Sequence, residues 1–594
     1  MRNQILTILS ILLISVLMLN FTHQKTELYQ ETPLFITDIK VVNEKGIFLS
    51  QKGVKTVALY NEDFSEKKKE WKFAETPTGL AVSGKYLFVT CFEISGSLSI
   101  IDLDSNIITD AISTGSGTTA PIVSQDGKKV FVCNQFSNTI SEIDLVKKKE
   151  TRTVKVLREP RVVISSKDGK FLYVANYLPA QRADIDTVAA CISVIRMSDF
   201  KKIKDIQLTN GSNAVQGLCL SPDHKYLFAT HNLGRFQVPT SQLQQGWMNT
   251  SAMSVINTQT LENEGAVLID EPERGAGGLW SIACTDKNIL ITQFGTHEMS
   301  VIDYPAFLEK YTQQADKSKL SYDLHFLYGI RERIHLYGNG PHEFSISNNK
   351  VYIPSYFSDT INVLDLNTKL VEPIALVRNR VETDAQKGEK YFNDASYCYQ
   401  NWQSCSGCHP GEARTDGLNW DLMNDGMGNP KNCKSMILAH ETPPCMVSGI
   451  RAKAEIAVRR GFLMIQFYDI PEEKAQCVDA YLKSLKPIAS PYLVHGKLSE
   501  KALEGHEVFD RMSCSHCHSG PYYTDLQFHR IGENVEFKDG WDTPTLKEVW
   551  RTSPYLFDGR AVNLQEVFGK YKHGIRDKIT PKEIEALAEY VNSL

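Results

Sequence analysis

The chain has 594 residues, several times the length of an ordinary domain, so we expect at least three packed units. Its 65 basic and 70 acidic residues give a formal net charge of -5, and no run of like charge is longer than Lys67-Lys68-Lys69. This balance excludes a nucleic-acid footprint and predicts no polyanionic partner.

The first 24 residues have the pattern of an export signal. Arg2 precedes a largely apolar run from Ile5 to Leu19, and polar sequence follows from Asn20. The run is short for a membrane span, so residues 1–24 are predicted to be a cleaved signal peptide, with a retained N-terminal anchor as the alternative. We therefore expect a periplasmic or cell-surface protein that meets a membrane only through such an anchor.

A repeated unit fills residues 33–375. Each copy holds an apolar stretch, a turn with Gly or Asn, a strand of the type K-x-L-x-V-x and a closing S-x-I-D-L or a relative of it. A small antiparallel sheet that buries one face needs this alternation, and periods of about 40–60 residues indicate a propeller. The sequence predicts a seven-bladed all-β propeller, with copies near 36–60, 79–102, 120–144, 161–195, 217–256, 279–303 and 344–365.

One strand of the fourth copy, Tyr173-Val174-Ala175-Asn176, resembles the namesake strand of the YVTN class of bacterial propeller repeats. Loops on a rigid propeller are where binding residues tend to sit. The longer loops carry residues that are either satisfied polar groups at strand ends or candidates for a copper or substrate site: His231, Arg235, Trp247, His297, His335 and His342.

Two C-x-x-C-H motifs lie in the last third of the chain, at Cys405–His409 and at Cys514–His518. Two thiols one turn apart can add to the two vinyl groups of a haem and place the next histidine under the iron. We therefore predict two covalently bound c-type haems, attached at Cys405 and Cys408 and at Cys514 and Cys517, with His409 and His518 as proximal ligands. Zinc binding or disulfides are the alternatives.

The surroundings of the two motifs also match. Each motif follows G-x-x-x-F, each is followed by Thr-Asp, and the two halves close on Y-L-K-S-L and Y-V-N-S-L. Two repeated units are predicted, at 380–487 and at 495–594. Of the nine other cysteines, Cys433 and Cys445 are a candidate disulfide pair, and several others lie in strand-like apolar stretches.

The segment Thr543–Arg560, T-P-T-L-K-E-V-W-R-T-S-P-Y-L-F-D-G-R, resembles the bacterial dihaem cytochrome c peroxidase and MauG family. The resemblance covers about residues 380–594. It implies a multidomain chain in which two all-α class I-like cytochrome c domains follow the propeller, with peroxidase-like activity and electron exchange between the haems.

Candidates for the remaining ligands come from the equal spacing of the two halves. His573 and Met464 lie equally far after His518 and His409, so each is either a sixth ligand or an ordinary surface histidine or core methionine. Peroxide chemistry also needs an open iron and a polar group that moves a proton. The candidates for that catalytic pocket are His440, Glu441, Glu455 and Gln466, and Trp402, Trp420 and Trp541 are either electron stepping-stones or haem packing.

The leading hypothesis is an exported dihaem oxidoreductase of the peroxidase or MauG type. Its partners would be an electron-donor or acceptor protein or a small redox substrate such as peroxide, held near the haems by the propeller. One alternative is an electron-transfer cytochrome in which both irons are six-coordinate. The other is a surface interaction protein whose haems act as a redox relay.

Overall fold

The computed structural model describes residues 31–238, 248–422, 430–531 and 540–594. The predicted signal peptide or anchor and the loop residue Trp247 lie outside these residues. Within the described ranges, no helix is long and apolar enough to cross a membrane.

The first part of the chain folds into seven four-stranded antiparallel sheets, each made of consecutive strands, and so confirms the predicted seven-bladed propeller. The blades, in chain order, are β1 Ile36–Val42, β2 Gly46–Gln51, β3 Thr56–Tyr60 and β4 Lys67–Lys72; β5 Thr76–Ser83, β6 Tyr86–Phe92, β7 Ser97–Asp102 and β8 Ile107–Ser113; β9 Thr118–Val123, β10 Lys129–Asn134, β11 Thr139–Asp144 and β12 Lys149–Lys155; β13 Pro160–Ser165, β14 Phe171–Asn176, β15 Cys191–Arg196 and β16 Lys201–Gln207; β17 Ser212–Leu220, β18 Tyr226–Gly234, β19 Asn249–Asn257 and β20 Glu262–Leu268; β21 Leu279–Cys284, β22 Asn288–Gln293, β23 Glu298–Asp303 and β24 Arg331–His335; β25 Ser345–Ser347, β26 Lys350–Ser355, β27 Thr360–Asp365 and β28 Val371–Ala375.

Burial within a blade follows the composition of each strand. The second strand of the third blade, K-V-F-V-C-N, is buried from Val130 to Asn134 because both of its faces pack against neighbouring blades. The fourth strand, K-E-T-R-T-V-K, is polar except for Val154 and lies at the blade edge, half-buried or exposed throughout. Lysines at such an edge also discourage pairing with other chains.

The repeated turn S-x-D-G-K explains the hairpin between the first two strands of a blade. Ser124 donates its hydroxyl to Asp126 at 2.6 Å, and the same carboxylate accepts the N–H of Lys128 at 3.1 Å. Gly127 occupies the left-handed region with φ +67°, a conformation that glycine adopts without steric cost. The turn pattern recognised in the sequence is thus a set of local hydrogen bonds.

The ring closes between the first and seventh blades through side chains rather than a shared strand. Asp359 accepts hydrogen bonds from the backbone N–H groups of Leu34 at 2.9 Å and Phe35 at 3.0 Å. Ser345 accepts the N–H of Val41 at 3.1 Å. Residues just before and within β1 are therefore held by the last blade, although they are more than 300 positions away in sequence.

Helices are the longest elements after the propeller, but irregular segments and four short strands lie among them, where the family resemblance implies an all-α region. One further helix, α1 Tyr304–Thr312, interrupts the sixth blade. The later elements are α2 Asp384–Asn393, α3 Ala454–Met464, α4 Glu472–Ser484, α5 Glu500–Arg511, α6 Leu564–Gly569 and α7 Pro581–Asn592, with strands β29 Asn419–Trp420, β30 Lys431–Asn432, β31 Phe528–His529 and β32 Trp541–Asp542.

The two halves of this region are built alike. Helices α2 and α4 cross at Gly388, where an added Cβ would lie 1.9 Å from the carbonyl oxygen of Cys477. Helices α5 and α7 cross at Gly505 in the same way, with the carbonyl oxygen of Ala586 at 1.9 Å. The first residue of each repeated G-x-x-x-F motif is therefore the point of closest backbone approach between the two helices.

We predict that Gly388→Ala weakens the first helix pair. The methyl group would overlap the Cys477 carbonyl, and such overpacking costs roughly 1–3 kcal/mol of unfolding free energy. Gly461→Ala, in α3, is the control, because its Cβ would meet no atom within 4 Å and alanine favours a helix interior by up to about 1 kcal/mol. Urea unfolding of both variants measures the difference. Equal stability of the two variants would contradict the close crossing.

Candidate functional site

The first C-x-x-C-H motif forms one tight turn over Cys405–Gly407, in which the backbone N–H of His409 donates to the carbonyl of Cys405 at 3.0 Å. Nδ1 of His409 lies 3.1 Å from the carbonyl oxygen of Arg414. A carbonyl only accepts, so Nδ1 must carry the proton and Nε2 keeps its free lone pair. This is the state in which an imidazole binds a metal.

The second motif repeats this arrangement. A turn covers Cys514–His516, the N–H of His518 donates to the carbonyl of Cys514 at 2.9 Å, and Nδ1 of His518 donates to the carbonyl of Tyr523 at 3.0 Å. Both motifs therefore present two thiols in one turn and an imidazole with a free Nε2. That donor set fits a covalently attached haem with a histidine ligand.

His573 faces the second motif. Its ring centroid lies 6.4 Å from that of His518, with an interplanar angle of 49°. A metal ion bound about 2 Å from one nitrogen of each ring would separate the centroids by about 6 Å, so the two rings could hold one ion between them. Burial, followed by the neighbouring His518, lowers the pKa of His573 to about 4 and keeps the imidazole neutral.

Met464 lies differently, although its spacing in sequence is the same. Met464 is the last residue of helix α3 and is 54% exposed to solvent. Helix α6 ends earlier, at Gly569, and the chain then turns so that the N–H of His573 donates to the carbonyl of Val567 at 3.0 Å. The different helix ends direct His573 toward His518 and leave Met464 at the end of its helix.

The four predicted catalytic residues do not all converge on one site, although His440, through Asp479, and Glu455 meet at the groove between α3 and α4. Gln466 is 3% exposed and donates from Nε2 to Sγ of Cys405 at 3.1 Å. His440 is paired through Nε2 with Asp479 at 3.2 Å. Glu455 pairs with Lys483 at 3.0 Å on the wall of a groove of about 470 Å³ between α3 and α4, and Glu441 is exposed. Only Gln466 of the four touches a motif cysteine through a hydrogen bond found in the described residues.

The propeller supplies a contact to the first motif that the sequence did not reveal. Asn249, at the start of β19, donates from Nδ2 to Sγ of Cys408 at 3.2 Å and to Oε1 of Gln403 at 3.0 Å. Asn249 is 159 positions from Cys408 in sequence, and no pattern marks it. In the sequence, an asparagine at the start of a strand is read as a turn residue. The contact with Cys408 therefore becomes visible only in the folded structure.

An apolar cluster surrounds this contact. It joins two propeller residues, Val188 and Met248, to Leu418 and Trp420 of the segment after the first motif. Trp420 donates its indole N–H to Asp416 at 2.8 Å. The first motif is therefore packed between the propeller and the helical region.

Cys433 also lies beside the first motif, where its thiol contacts the carbonyl of Cys408 at 3.1 Å and Nδ1 of His409 at 3.6 Å. Cys445 instead contacts the carbonyl of Ala439 at 3.4 Å, and both cysteines are free thiols. The candidate disulfide between Cys433 and Cys445 is therefore not formed.

The described loop histidines of the propeller each have a local partner and do not form one site. His231 is buried and contacts Ser254 at 2.8 Å, and burial lowers its pKa to about 4. His297 pairs with Asp394 at 3.2 Å, across the junction with the helical region. His342 packs against Trp280 with ring centroids 4.0 Å apart and tilted by 37°, and His335, exposed at the end of β24, lies edge-on to Tyr337 with centroids 6.5 Å apart. Arg235 is buried and donates to the carbonyl of Ser321.

The described residues contain one group of at least three side chains that could hold a metal ion: Cys517, Asp525 and His529. Asp525 and His529 are paired at 2.6 Å. The group shares Cys517 with the second motif, so it cannot bind an ion through that thiol and also leave the thiol for a haem.

A buried chain of ion pairs links the propeller to both motif segments. Arg551 binds Glu159 of the propeller through two hydrogen bonds, at 2.8 and 2.9 Å, and lies 3.6 Å from Glu548. Glu548 in turn binds Arg414 through two contacts of 2.8 Å. Each of the four side chains is at most 5% exposed. Burial opposes the ionised form of Glu159, but Arg551 prevails and lowers the pKa of Glu159 to about 2.

We predict that Arg551→Met lowers the unfolding free energy by about 3–5 kcal/mol, because it leaves the buried carboxylates of Glu159 and Glu548 without this partner. Arg196→Met is the control: Arg196 and Asp199 form a pair that is 48% and 36% exposed, and its loss should cost at most about 1 kcal/mol. Urea unfolding compares the two variants. A similar loss in both would show that the buried chain contributes no special stability.

Comparisons with known proteins find partial likenesses. Residues 82–236 match the family model of the cytochrome D1 heme domain. Hydrazine synthase subunit gamma from Kuenenia stuttgartiensis is 23% identical over 269 residues, which is 35% of this chain and 76% of that protein.

Two solved structures of Kuenenia stuttgartiensis hydrazine synthase are also similar. The first has a TM-score of 0.51 at 21% identity and covers 58% of this chain and 98% of its own. The second, of the enzyme pressurised with 20 bar xenon, has a TM-score of 0.33 at 22% identity and covers 36% and 87%. The first likeness shows that the two chains share a fold over the matched part.

Proposed function

We propose that this chain is an exported redox protein with two covalently bound c-type haems, attached at Cys405 and Cys408 and at Cys514 and Cys517, in cytochrome c domains at 380–487 and 495–594. The observation that carries the proposal is the shared geometry of the two motifs: in each, a backbone carbonyl fixes Nδ1 of the motif histidine and leaves Nε2 free. The family model named for a heme domain supports a haem protein.

The second site has the arrangement of an electron-transfer centre. A bound haem iron would supply reversible one-electron chemistry. His518 and His573, whose ring centroids lie 6.4 Å apart, would both hold the iron, and this favours electron transfer over substrate binding at the second site.

The first site has the arrangement of a reactive centre. His409 is held by the Arg414 carbonyl, whereas Met464 is 54% exposed at the end of α3, so we assign substrate binding to the first haem, which His409 would hold. Of the predicted polar residues, Gln466 lies nearest to the first motif, where its Nε2 donates to Sγ of Cys405 and not to a substrate position. The other candidates for proton transfer are His440, which pairs with Asp479, Glu455, which pairs with Lys483, and the exposed Glu441.

Aromatic side chains offer an electron route between the two sites. Trp541, which pairs with His529 in the β31–β32 ladder, stacks on Phe557 with centroids 4.4 Å apart. The carbonyl of Phe557 accepts the N–H of Asn432 at 2.8 Å, and the next residue, Cys433, reaches His409. We assign Trp541 to this route because of its contact with Phe557; Trp402 and Trp420 are also buried, and Trp420 packs in the apolar cluster beside Cys408.

The activity we propose is peroxidase-like oxidation, in the manner of the cytochrome c peroxidase and MauG family. Peroxide would be reduced at the first haem, with electrons supplied through the second haem by a donor protein or a small redox substrate. Because a similar protein is named for hydrazine synthesis, small nitrogen compounds are a second class of substrate to test.

Electron paramagnetic resonance of the haem-loaded protein tests this assignment. We expect one high-spin ferric signal, from the first haem, and one low-spin signal, from the second. In the half-reduced protein, peroxide should abolish the high-spin signal within the mixing time. Two low-spin signals that peroxide leaves unchanged in both oxidation states would overturn the peroxidase proposal and favour an electron-transfer cytochrome with Met464 as a ligand.

We also predict that His573→Ala converts the second haem from low-spin to high-spin, because the variant removes the ring that faces His518. His506→Ala is the matched control, since the side chain of His506 is 49% exposed and pairs with Asp510 at 3.8 Å. Absorption and electron paramagnetic resonance spectra of the two variants give the spin state of the second haem iron. An unchanged low-spin signal in His573→Ala would show that another group binds the iron.

A further inference from the structure

We infer that Asn249 of the propeller and Gln466 set the reduction potential of the first haem by donating N–H hydrogen bonds to its two thioether sulfurs. This inference rests on the proposed attachment of that haem at Cys405 and Cys408. The two residues would act as positioning residues, because they touch the sulfur atoms and not the reacting ligand.

Each sulfur of the first motif has its own amide donor. Nδ2 of Asn249 lies 3.2 Å from Sγ of Cys408, and Nε2 of Gln466 lies 3.1 Å from Sγ of Cys405. Asn249 is 2% exposed and Gln466 is 3% exposed. Water therefore does not compete for either amide, and both contacts lie within the distance of a hydrogen bond to sulfur.

The orientation of the Asn249 amide follows from its neighbours. Gln403 donates from Nε2 to the carbonyl of Ile465 at 3.4 Å, so its Oε1 must point the other way. That oxygen accepts from Nδ2 of Asn249 at 3.0 Å, and the same NH₂ group is the one that reaches Cys408. A flipped Asn249 would place two oxygens against each other and an oxygen against the sulfur.

The amide oxygens of both residues are buried without a hydrogen-bond partner. A buried amide oxygen without a hydrogen-bond donor destabilises the fold unless the NH₂ group of the same amide makes a compensating hydrogen bond. Here the other end is an N–H group directed at a sulfur. The positive end of the N–H dipole would stabilise the additional electron of the reduced haem, and the effect is strong because the site is dry.

The second motif lacks this feature. Among the described residues, no side-chain amide donates to Sγ of Cys514 or of Cys517. The two haems would therefore differ in their sulfur contacts while sharing the same proximal arrangement. The second haem serves as an internal reference in any measurement on the first.

The apolar cluster of Val188, Met248, Leu418 and Trp420 surrounds the Asn249 contact. Loss of packing there would admit water and could also lower the potential. A test must therefore separate the loss of a donor from the loss of packing. Asn249→Leu and Gln466→Met do so, because each replaces an amide by an apolar group of similar size.

Redox titration of the full-length, haem-loaded variants measures both haems in one sample. A typical hydrogen bond changes an equilibrium by about three- to tenfold. We expect each variant to lower the equilibrium constant for reduction of the first haem by a mediator of fixed potential by up to that factor, because only the difference in hydrogen-bond strength between the two oxidation states counts. A tenfold change corresponds to a shift of about 59 mV. The second haem should be unaffected.

Val188→Ala is the control, because it loosens the same cluster and leaves both amides in place. The inference is overturned if Val188→Ala shifts the first haem as far as Asn249→Leu, or if neither amide variant shifts it. Pyridine haemochrome analysis of every sample counts the haems. Two haems per chain with unshifted potentials would refute only the role of the amides, whereas fewer than two in the parent chain would refute the proposed function itself.

Discussion

The buried chain Glu159–Arg551–Glu548–Arg414 is the constraint on which the arrangement of the whole molecule depends. It begins in the propeller, passes through the segment after the second motif and ends at the residue whose carbonyl orients His409. A buried charge without its partner costs several kcal/mol, so the four groups are stable only when all three parts of the molecule are assembled. The position of His409 is thereby tied to the docking of the propeller.

The two halves of the helical region show how one scaffold can serve two purposes. The crossing glycines, Gly388 and Gly505, and the carbonyls that hold the motif histidines are the same in both halves. The environments differ, because the first motif is packed against the propeller and the second receives His573 from its own half. Asymmetry thus arises from what surrounds each copy and not from the motif itself.

Features that depend on local sequence were predictable, and those that depend on distant contacts were not. The seven blades follow from strand periodicity and from turns such as Ser124–Lys128, whose hydrogen bonds lie within a few residues. Equal spacing could not place His573 and Met464, because α3 and α6 end at different points. The partners of His440 and Gln466 were not predictable either, since His440 pairs with Asp479 and Gln466 donates to Cys405, contacts that no sequence pattern marks. Asn249 has no local signal at all.

The same contacts bear on whether the propeller is an independent docking module. A propeller cut off after residue 375 would leave Glu159 without Arg551 and would expose Val188 and Met248, which now pack against Leu418 and Trp420. Water could solvate Glu159 in such a fragment. Exposure of the apolar surface, however, would cost about 25 cal/mol of free energy per Å². The face of the propeller that meets the helical region is therefore an internal wall of the first site. Any partner that the propeller recruits must bind elsewhere on its surface.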